Sequence, residues 1–138
     1  MIFLVIYFCP RCGRSFNETS RPVSCDCGTP LKSTVDWADL EIDPGARGMA
    51  RYSSALPPLA PSVSMGEGWT PLVRSRSGGP YYKLEYLFPT GSFKDRGSVL
   101  VMTEAKNQGQ ESVVQDSSGN AGASIAAYAA RCGIRATV

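Results

Sequence analysis

Pro89-Thr90-Gly91-Ser92-Phe93-Lys94-Asp95-Arg96-Gly97 is the stretch whose reading decides the fold. It is a loop of small residues that delivers a lysine to the apparent start of a helix. Before it, Tyr81-Tyr82-Lys83-Leu84-Glu85 is aromatic and alternates as a strand does; after it, Val99, Met102 and Ala105 recur at helical spacing. Gly91 and Gly97 permit dihedrals that other residues avoid, and Ser92 is placed to cap the helix. Lys94 then meets the positive potential of unpaired helix N–H groups, which disfavours a second positive charge. A lysine in that setting is a candidate for a lowered pKa, and a neutral amine is a nucleophile. Taken alone, however, a lysine that opens a helix reads as a solvated surface residue.

Working outward, the pattern from Lys94 to about Gln108 predicts a helix stopped by Gly109. Ser112-Val113-Val114-Gln115 reads as a short buried strand. Asp116-Ser117-Ser118-Gly119-Asn120-Ala121-Gly122 then turns into a second helix through Ile125, Tyr128, Ala129 and Cys132, closed by Gly133, and Ile134 to Val138 begins another strand. Cys132 reads as a small core residue. Strands alternating with helices at this spacing predict an α/β domain with a parallel sheet and right-handed crossovers. Ligands of such sheets lie beyond the carboxyl ends of the strands, where the Lys94 loop and the Ser117–Ala121 loop are both expected. The second loop ends in a helix N-terminus whose free N–H groups suit an anion such as an amino-acid carboxylate. In isolation Ser-Ser-Gly-Asn is an ordinary capped turn.

Upstream, Leu72-Val73 and Tyr81-Tyr82-Lys83-Leu84 flank the turn cluster Ser77-Gly78-Gly79-Pro80 and suggest two strands joined by a hairpin-like loop. Gly66-Glu67-Gly68-Trp69-Thr70-Pro71-Leu72 reads either as a loop of close backbone approach or as a plain turn before a strand. Residues 33–63 carry Pro44, Pro57, Pro58 and Pro61, the composition of irregular connections. Asp36, Asp39, Glu41 and Asp43 form a solvated acidic face there, with no apolar pocket to separate their pKa values. Trp37, Leu40 and Ile42 are expected to pack this linker against the larger domain.

The amino-terminal part is marked by cysteine. Cys9-Pro10-Arg11-Cys12-Gly13 has the turn chemistry of a zinc knuckle, and Cys25-Asp26-Cys27-Gly28 follows, its one-residue spacer a departure from the usual two. Four sulfurs at this separation suit a tetrahedral structural zinc; the alternative is a set of reduced thiols. So short a segment, with so little apolar content, needs a staple. Paired cysteine spacing favours metal in a reducing, cytoplasmic compartment. Met1 to Phe8 is apolar but too short to cross a bilayer, and it reads as a strand rather than a signal peptide. The 138 residues, 43% hydrophobic and 19% charged with a formal charge of +2, describe a globular chain with no call on a polyanion. The absence of histidine removes His-based triads and His metal ligands.

Lys83-Leu84-Glu85-Tyr86-Leu87-Phe88, the PTGSFKDRG string at 89–97 and Asp116 to Gly122 together resemble the pyridoxal-phosphate enzymes of the tryptophan synthase β-subunit fold, and among them the threonine synthases. The GEG-x-TPL opening and the cysteine-rich ribbon resemble the same group. The resemblance implies a zinc-ribbon-like segment over 1–35 with Cys9, Cys12, Cys25 and Cys27 as ligands, an irregular linker over 36–64, and part of a three-layer parallel-sheet catalytic domain over 65–138. It implies Lys94 as the catalytic residue that forms the internal Schiff base with pyridoxal 5′-phosphate, and Asn120 beside the cofactor's 3′ oxygen. Ser117, Ser118, Gly119, Asn120 and the Ala121 backbone would hold the substrate carboxylate. The implied reaction converts O-phospho-L-homoserine and water to threonine and phosphate; a dehydratase or β-replacement enzyme of the same fold would use the same Lys94 and Asn120. A small amino-acid substrate and a homodimeric full-length form are expected, with no nucleic-acid or membrane partner. Readings of another class are a zinc-ribbon binding module, with Arg11, Arg14 and Arg21 near the cysteines, and a truncated pseudo-enzyme. Phe88 departs from the asparagine usual before the proline, so packing must hold the loop. The family's cofactor-phosphate loop and its partner for the pyridine nitrogen fall after position 138. The chain is therefore expected to be an amino-terminal fragment, unable by itself to hold the cofactor tightly or turn over.

Overall fold

The computed structural model describes residues 6–16, 23–34 and 40–138. The chain divides into two units, Met1–Ile42 with Ser54–Leu56 and Asp43–Ser53 with Pro57–Val138. Arg21, Asp36, Trp37 and Asp39 lie outside the described residues. Leu40 and Ile42, expected to pack the linker down, are 37% and 51% exposed.

In the smaller unit β1 (Ile6–Phe8) lies between β2 (Ser15–Phe16) and β3 (Lys32–Thr34), antiparallel to both. Tyr7 stands opposite Phe16 on one side and Ser33 on the other. Apart from Ala55, the buried hydrophobic residues described in this unit are Cys9 and Cys25. Among the described residues, two cysteines and an alanine remove little apolar surface from water, so what joins the sulfurs bears on this unit's stability.

The larger unit opens with a hairpin, β4 (Leu72–Arg74) antiparallel to β5 (Tyr81–Lys83), turned at Gly78. A 3-10 turn over Glu85–Leu87 leads into the Lys94 loop and α1 (Asp95–Asn107). β6 (Ser112–Val114), α2 (Asn120–Cys132) and β7 (Arg135–Thr137) follow as a strand–helix–strand unit, and β6 and β7 pair in parallel with Val113 opposite Ala136. The fold is thus mixed α/β. β5 joins β4 in the hairpin that the sequence suggests, the Ser75–Pro80 turn folding it straight back. One expectation changes: β6 is not buried, Val114 being 83% exposed with β7 its one described strand neighbour.

Both helices bury one stripe against the other. In α1 it is Asp95, Ser98, Val99, Met102, Thr103 and Ala105; in α2 it is Gly122, Ser124, Ile125, Tyr128 and Ala129. Gly109 (φ 68°) and Gly133 (φ 75°) terminate them in left-handed conformation, as the sequence pattern anticipates. Cys132 is half-buried, and its thiol donates to the Tyr128 carbonyl at 3.2 Å. The chain before the hairpin is tied to α1 through the Ala60 amide, which donates to Thr103 Oγ1 at 3.2 Å. The close-approach reading of Gly66-Glu67-Gly68 holds. A Cβ on Gly68 would lie 2.9 Å from the Met49 nitrogen, and one on Gly48 would lie 2.3 Å from the Glu67 carbonyl oxygen, so the two segments cross backbone to backbone.

Gly122 has the tightest surroundings. A Cβ there would stand 2.0 Å from the Ser117 carbonyl oxygen and 2.6 Å from Val138 Cγ1. Alanine normally stabilises a helix relative to glycine, but here it would push the 117–121 turn off α2. Gly122→Ala is expected to lower unfolding free energy by about 1–3 kcal/mol in chemical denaturation, as overpacked sites do.

Candidate functional site

Lys94 is the N-cap of α1 and is exposed. Its side-chain nitrogen lies 4.6 Å from the centroid of the Phe93 ring, and its carbonyl accepts from the amides of Gly97 and Ser98 at 3.0 Å. Ser92 does not cap the helix as expected. Its hydroxyl accepts from the Lys94 amide itself at 3.3 Å, closing a local turn two residues long. The loop is held instead by Asp95, fully buried on the inner face of α1. Its carboxyl accepts from the Thr90 amide at 2.9 Å and from the Thr90 hydroxyl, so the two ends of the Thr90–Asp95 loop are tied together.

The same carboxyl reaches the second loop. Ser124, buried one turn into α2, donates to Asp95 at 2.6 Å and lies 2.7 Å from the Ser98 hydroxyl. The first turn of α1, opened by Lys94, is therefore bonded to α2 one turn beyond its start at Asn120. Asn120 and Ser118 are exposed, Ala121 and Ser117 half-buried. The Ser117 hydroxyl accepts from the Gly119 amide at 3.3 Å. The first-turn amides of α2 have no intrahelical carbonyl to bond and face outward as donors.

A second network fixes the approach to the loop. Arg96 grips Glu85 with two hydrogen bonds, Nε to Oε2 at 2.8 Å and an η-nitrogen to Oε1 at 2.9 Å, and the Thr70 hydroxyl adds a third at 2.6 Å. The Arg96 guanidinium holds the Glu85 carboxyl down at about 2, with the Thr70 hydroxyl assisting against burial. The Lys83 side chain donates to the Thr70 carbonyl. Phe88 is buried, 4.9 Å beneath the Arg96 guanidinium, so packing does replace the missing amide. Glu67 is likewise buried. It accepts from Tyr128 Oη at 2.9 Å, Ser64 Oγ at 2.9 Å and the Met65 amide at 3.0 Å, and burial together with this carboxyl raises the Tyr128 phenol well above its ordinary range.

The four cysteines converge as the knuckle pattern anticipates. Sγ atoms of Cys9, Cys12, Cys25 and Cys27 all lie within 4.8 Å of one another, with Cys9 to Cys27 at 3.5 Å and Cys12 to Cys25 at 3.7 Å. Zinc–sulfur bonds of about 2.3 Å demand sulfur–sulfur edges of about 3.8 Å, so the donor set fits a tetrahedral ion. Each turn closes on a glycine amide: Gly13 donates to the Cys9 carbonyl and Gly28 to the Cys25 carbonyl. The exposed Arg14–Asp26 pair links the two turns and contributes little on its own.

Residues 63–138 match the family of pyridoxal-phosphate dependent enzymes. The chain belongs to that family. It is 44% identical over 98 residues to a threonine synthase of a Bacillus species (strain ULM1), a match covering 65% of this chain and 28% of that protein. It is 35% identical over 146 residues to a threonine synthase of Methanocaldococcus jannaschii, covering 94% of this chain and 36% of that protein. A threonine synthase of Mycobacterium leprae is 39% identical over 105 residues. The chain thus spans roughly a third or less of the length of these relatives.

For a pyridoxal-phosphate dependent enzyme the donor chemistry is apt: one solvent-facing amine on a fixed loop, and on a turn before the neighbouring helix hydroxyls, a carboxamide and backbone amides. Two cavities of the larger unit, about 610 Å³ and about 380 Å³, are lined by neither Lys94 nor the 117–121 turn. Asp95, Ser124, Glu67 and Arg96 carry the site's architecture and were not anticipated as site residues. Among the described residues no helix is long and apolar enough to cross a membrane.

The Glu85 carboxyl sits below the ordinary 4.5 of a glutamate, so its contribution is complete above pH 4.5 and is lost as pH falls through about 2. Unfolding free energies measured between pH 5 and 2 are expected to fall by up to about 3 kcal/mol more in the native chain than in Glu85→Gln.

Proposed function

We propose that the chain contributes the amine-bearing half of a threonine synthase active site, acting on O-phospho-L-homoserine and water to give threonine and phosphate. What supports the reading is the Asp95–Ser124 bond, which ties the first turn of α1, opened by Lys94, to α2 one turn beyond its start at Asn120. A dehydratase or β-replacement enzyme would need the same pairing; the threonine synthase relatives on either side of the bacterial–archaeal divide favour the first.

Lys94 would anchor the cofactor through its amine, with Asn120 beside it. When bound, pyridoxal phosphate supplies an electron sink for charge that develops on the amino-acid substrate. The chain's own groups do the rest. Ser117, Ser118, Gly119, Asn120 and the Ala121 amide hold the substrate carboxylate at the positive end of α2. The Lys94 amine, carried on a loop that Asp95 keeps rigid, takes and returns protons at the carbons next to that carboxylate. Asp95 touches neither ligand and acts by position alone. The larger unit is read as part of a three-layer parallel-sheet domain, and the smaller as a zinc ribbon in which Cys9, Cys12, Cys25 and Cys27 hold one structural ion. A homodimer in the cytoplasm, with a small amino-acid substrate, completes this reading.

In the longest polypeptide that the reading frame containing this chain encodes, borohydride reduction in the presence of pyridoxal phosphate should label the peptide bearing Lys94. Lys94→Ala should remove both the label and the absorbance at the violet edge of the visible, and lower turnover about 10³-fold. A label on another lysine refutes the assignment. For the metal, one zinc per chain is expected by elemental analysis, falling to near zero in Cys9→Ser; metal retained in that variant would refute the ligand set.

A further inference from the structure

The cavity of about 380 Å³ beside Trp69 plays no part in the Lys94 site. Its walls include Arg51, Tyr52, Trp69, Thr70, Lys83 and Arg96, none of them acidic. The carboxylate that meets these cations is Glu85, and both its oxygens are already taken by Arg96, with Thr70 sharing one. Lys83 donates to a neutral carbonyl, that of Thr70. The Arg51 guanidinium lies 5.0 Å from the centroid of the Trp69 ring and meets no carboxylate among the described residues. Among the described residues, three cationic side chains therefore share the one Glu85 carboxylate, which leaves a net positive charge around the space. Like charges gathered in a concave site raise its affinity for an anion of matching charge.

The backbone adds a second, independent observation. Trp69 holds φ at 58°, a left-handed conformation that a bulky non-glycine residue rarely adopts, directly after Gly68 at 96°. It follows directly on the backbone crossing of Gly48 and Gly68, and its indole lies against Arg51 and forms one wall of the cavity. Strain of this kind persists where surrounding structure enforces it, and such positions gather at binding sites.

We propose that this cavity is a binding site for a phosphate dianion, either inorganic phosphate or a small phosphomonoester. The planar Arg51 fork and the Lys83 ammonium supply the two charges, and Arg51 gives paired donors for two phosphate oxygens. The Thr70 hydroxyl is committed to Glu85 and stays out of the site. The volume falls in the range of small-molecule sites, with room beside the phosphate for an organic group lying against Trp69. Neither Lys94 nor any residue of the 117–121 turn lines it, so the site stands whatever reaction Lys94 serves.

The chain holds two tryptophans, so Trp37→Phe leaves Trp69 as the sole indole reporter. Titration of that protein with potassium phosphate, ionic strength fixed with potassium chloride, should give a saturable change in Trp69 fluorescence. Arg51→Gln should weaken it about tenfold or more, Arg51→Lys should recover part of the loss, and Lys94→Ala and Ser118→Ala should leave it unchanged. Should Arg51→Gln fail to fold, amide chemical shifts of the unaltered chain serve instead: phosphate should move those of Trp69 and Thr70. Tighter binding of phenyl phosphate than of inorganic phosphate would identify an organic monoester as the occupant, and the reverse would identify the free ion; both support the site. No saturable response, an equal response to acetate, or loss in Lys94→Ala with none in Arg51→Gln would overturn it.

Discussion

The larger unit depends on one buried carboxyl. Among the described residues Asp95 pairs with no cation; a hydroxyl and an amide from Thr90 and the hydroxyl of Ser124 satisfy it instead. Withdrawing a carboxyl from water with no partner costs several kcal/mol, so each of those donors is needed, and their positions are fixed by the need. Thr90 is five residues back along the chain and Ser124 is on the neighbouring helix. One side chain thereby sets both the shape of the Lys94 loop and its registry with α2. A salt bridge would be less exacting, because a flexible ammonium satisfies a carboxyl from many directions whereas three neutral donors do so in one.

Glu67 repeats the device at the far side of α2, where Tyr128, Ser64 and the Met65 amide fill its acceptor sites. The glycines around it make the arrangement feasible. At Gly48 and Gly68 the backbones touch where any side chain would separate them, and Met49 donates to the Glu67 carbonyl at 3.3 Å across the crossing. α2 is thus pinned by a buried acid at each end of its inner stripe, Ser124 to Asp95 and Tyr128 to Glu67. Ile125 is buried between the two ties and Ala129 just beyond the second.

What the sequence made legible follows from locality. The two helices, their glycine stops at 109 and 133, the hairpin across Ser77-Gly78-Gly79-Pro80 and the convergence of four cysteines all rest on short-range spacing, and each was readable. The exposure of β6 was not, because an apolar pair such as Val113-Val114 says that a strand forms and nothing about what covers it. Ser92 looked like a cap because small hydroxyl residues before helices usually are; the Thr90–Asp95 closure displaced it. Asp95 itself left a usable trace. It falls on the stripe continued by Ser98, Val99 and Met102, and an acid on a buried stripe must find partners. The Glu67–Tyr128 bond spans 61 positions and leaves none.

The role proposed for the Lys94 amine makes two opposed demands, that its main chain be fixed and its tip be accessible. The loop meets them by dividing the labour between adjacent residues. Asp95, fully buried, takes the hydrogen bonds that make the turn rigid, while Lys94, one residue earlier, has its own amide and carbonyl committed and only its side chain outward, resting on the exposed Phe93 ring. Successive residues at a helix start diverge by about 100°, so a buried acid and an exposed amine as neighbours are what the helix geometry supplies without strain. Arg96, the next residue round, points to a third direction and clamps Glu85, which holds the incoming chain. Lys94, Asp95 and Arg96 thus lock one short loop along three separate directions, and the one left open to solvent is the amine.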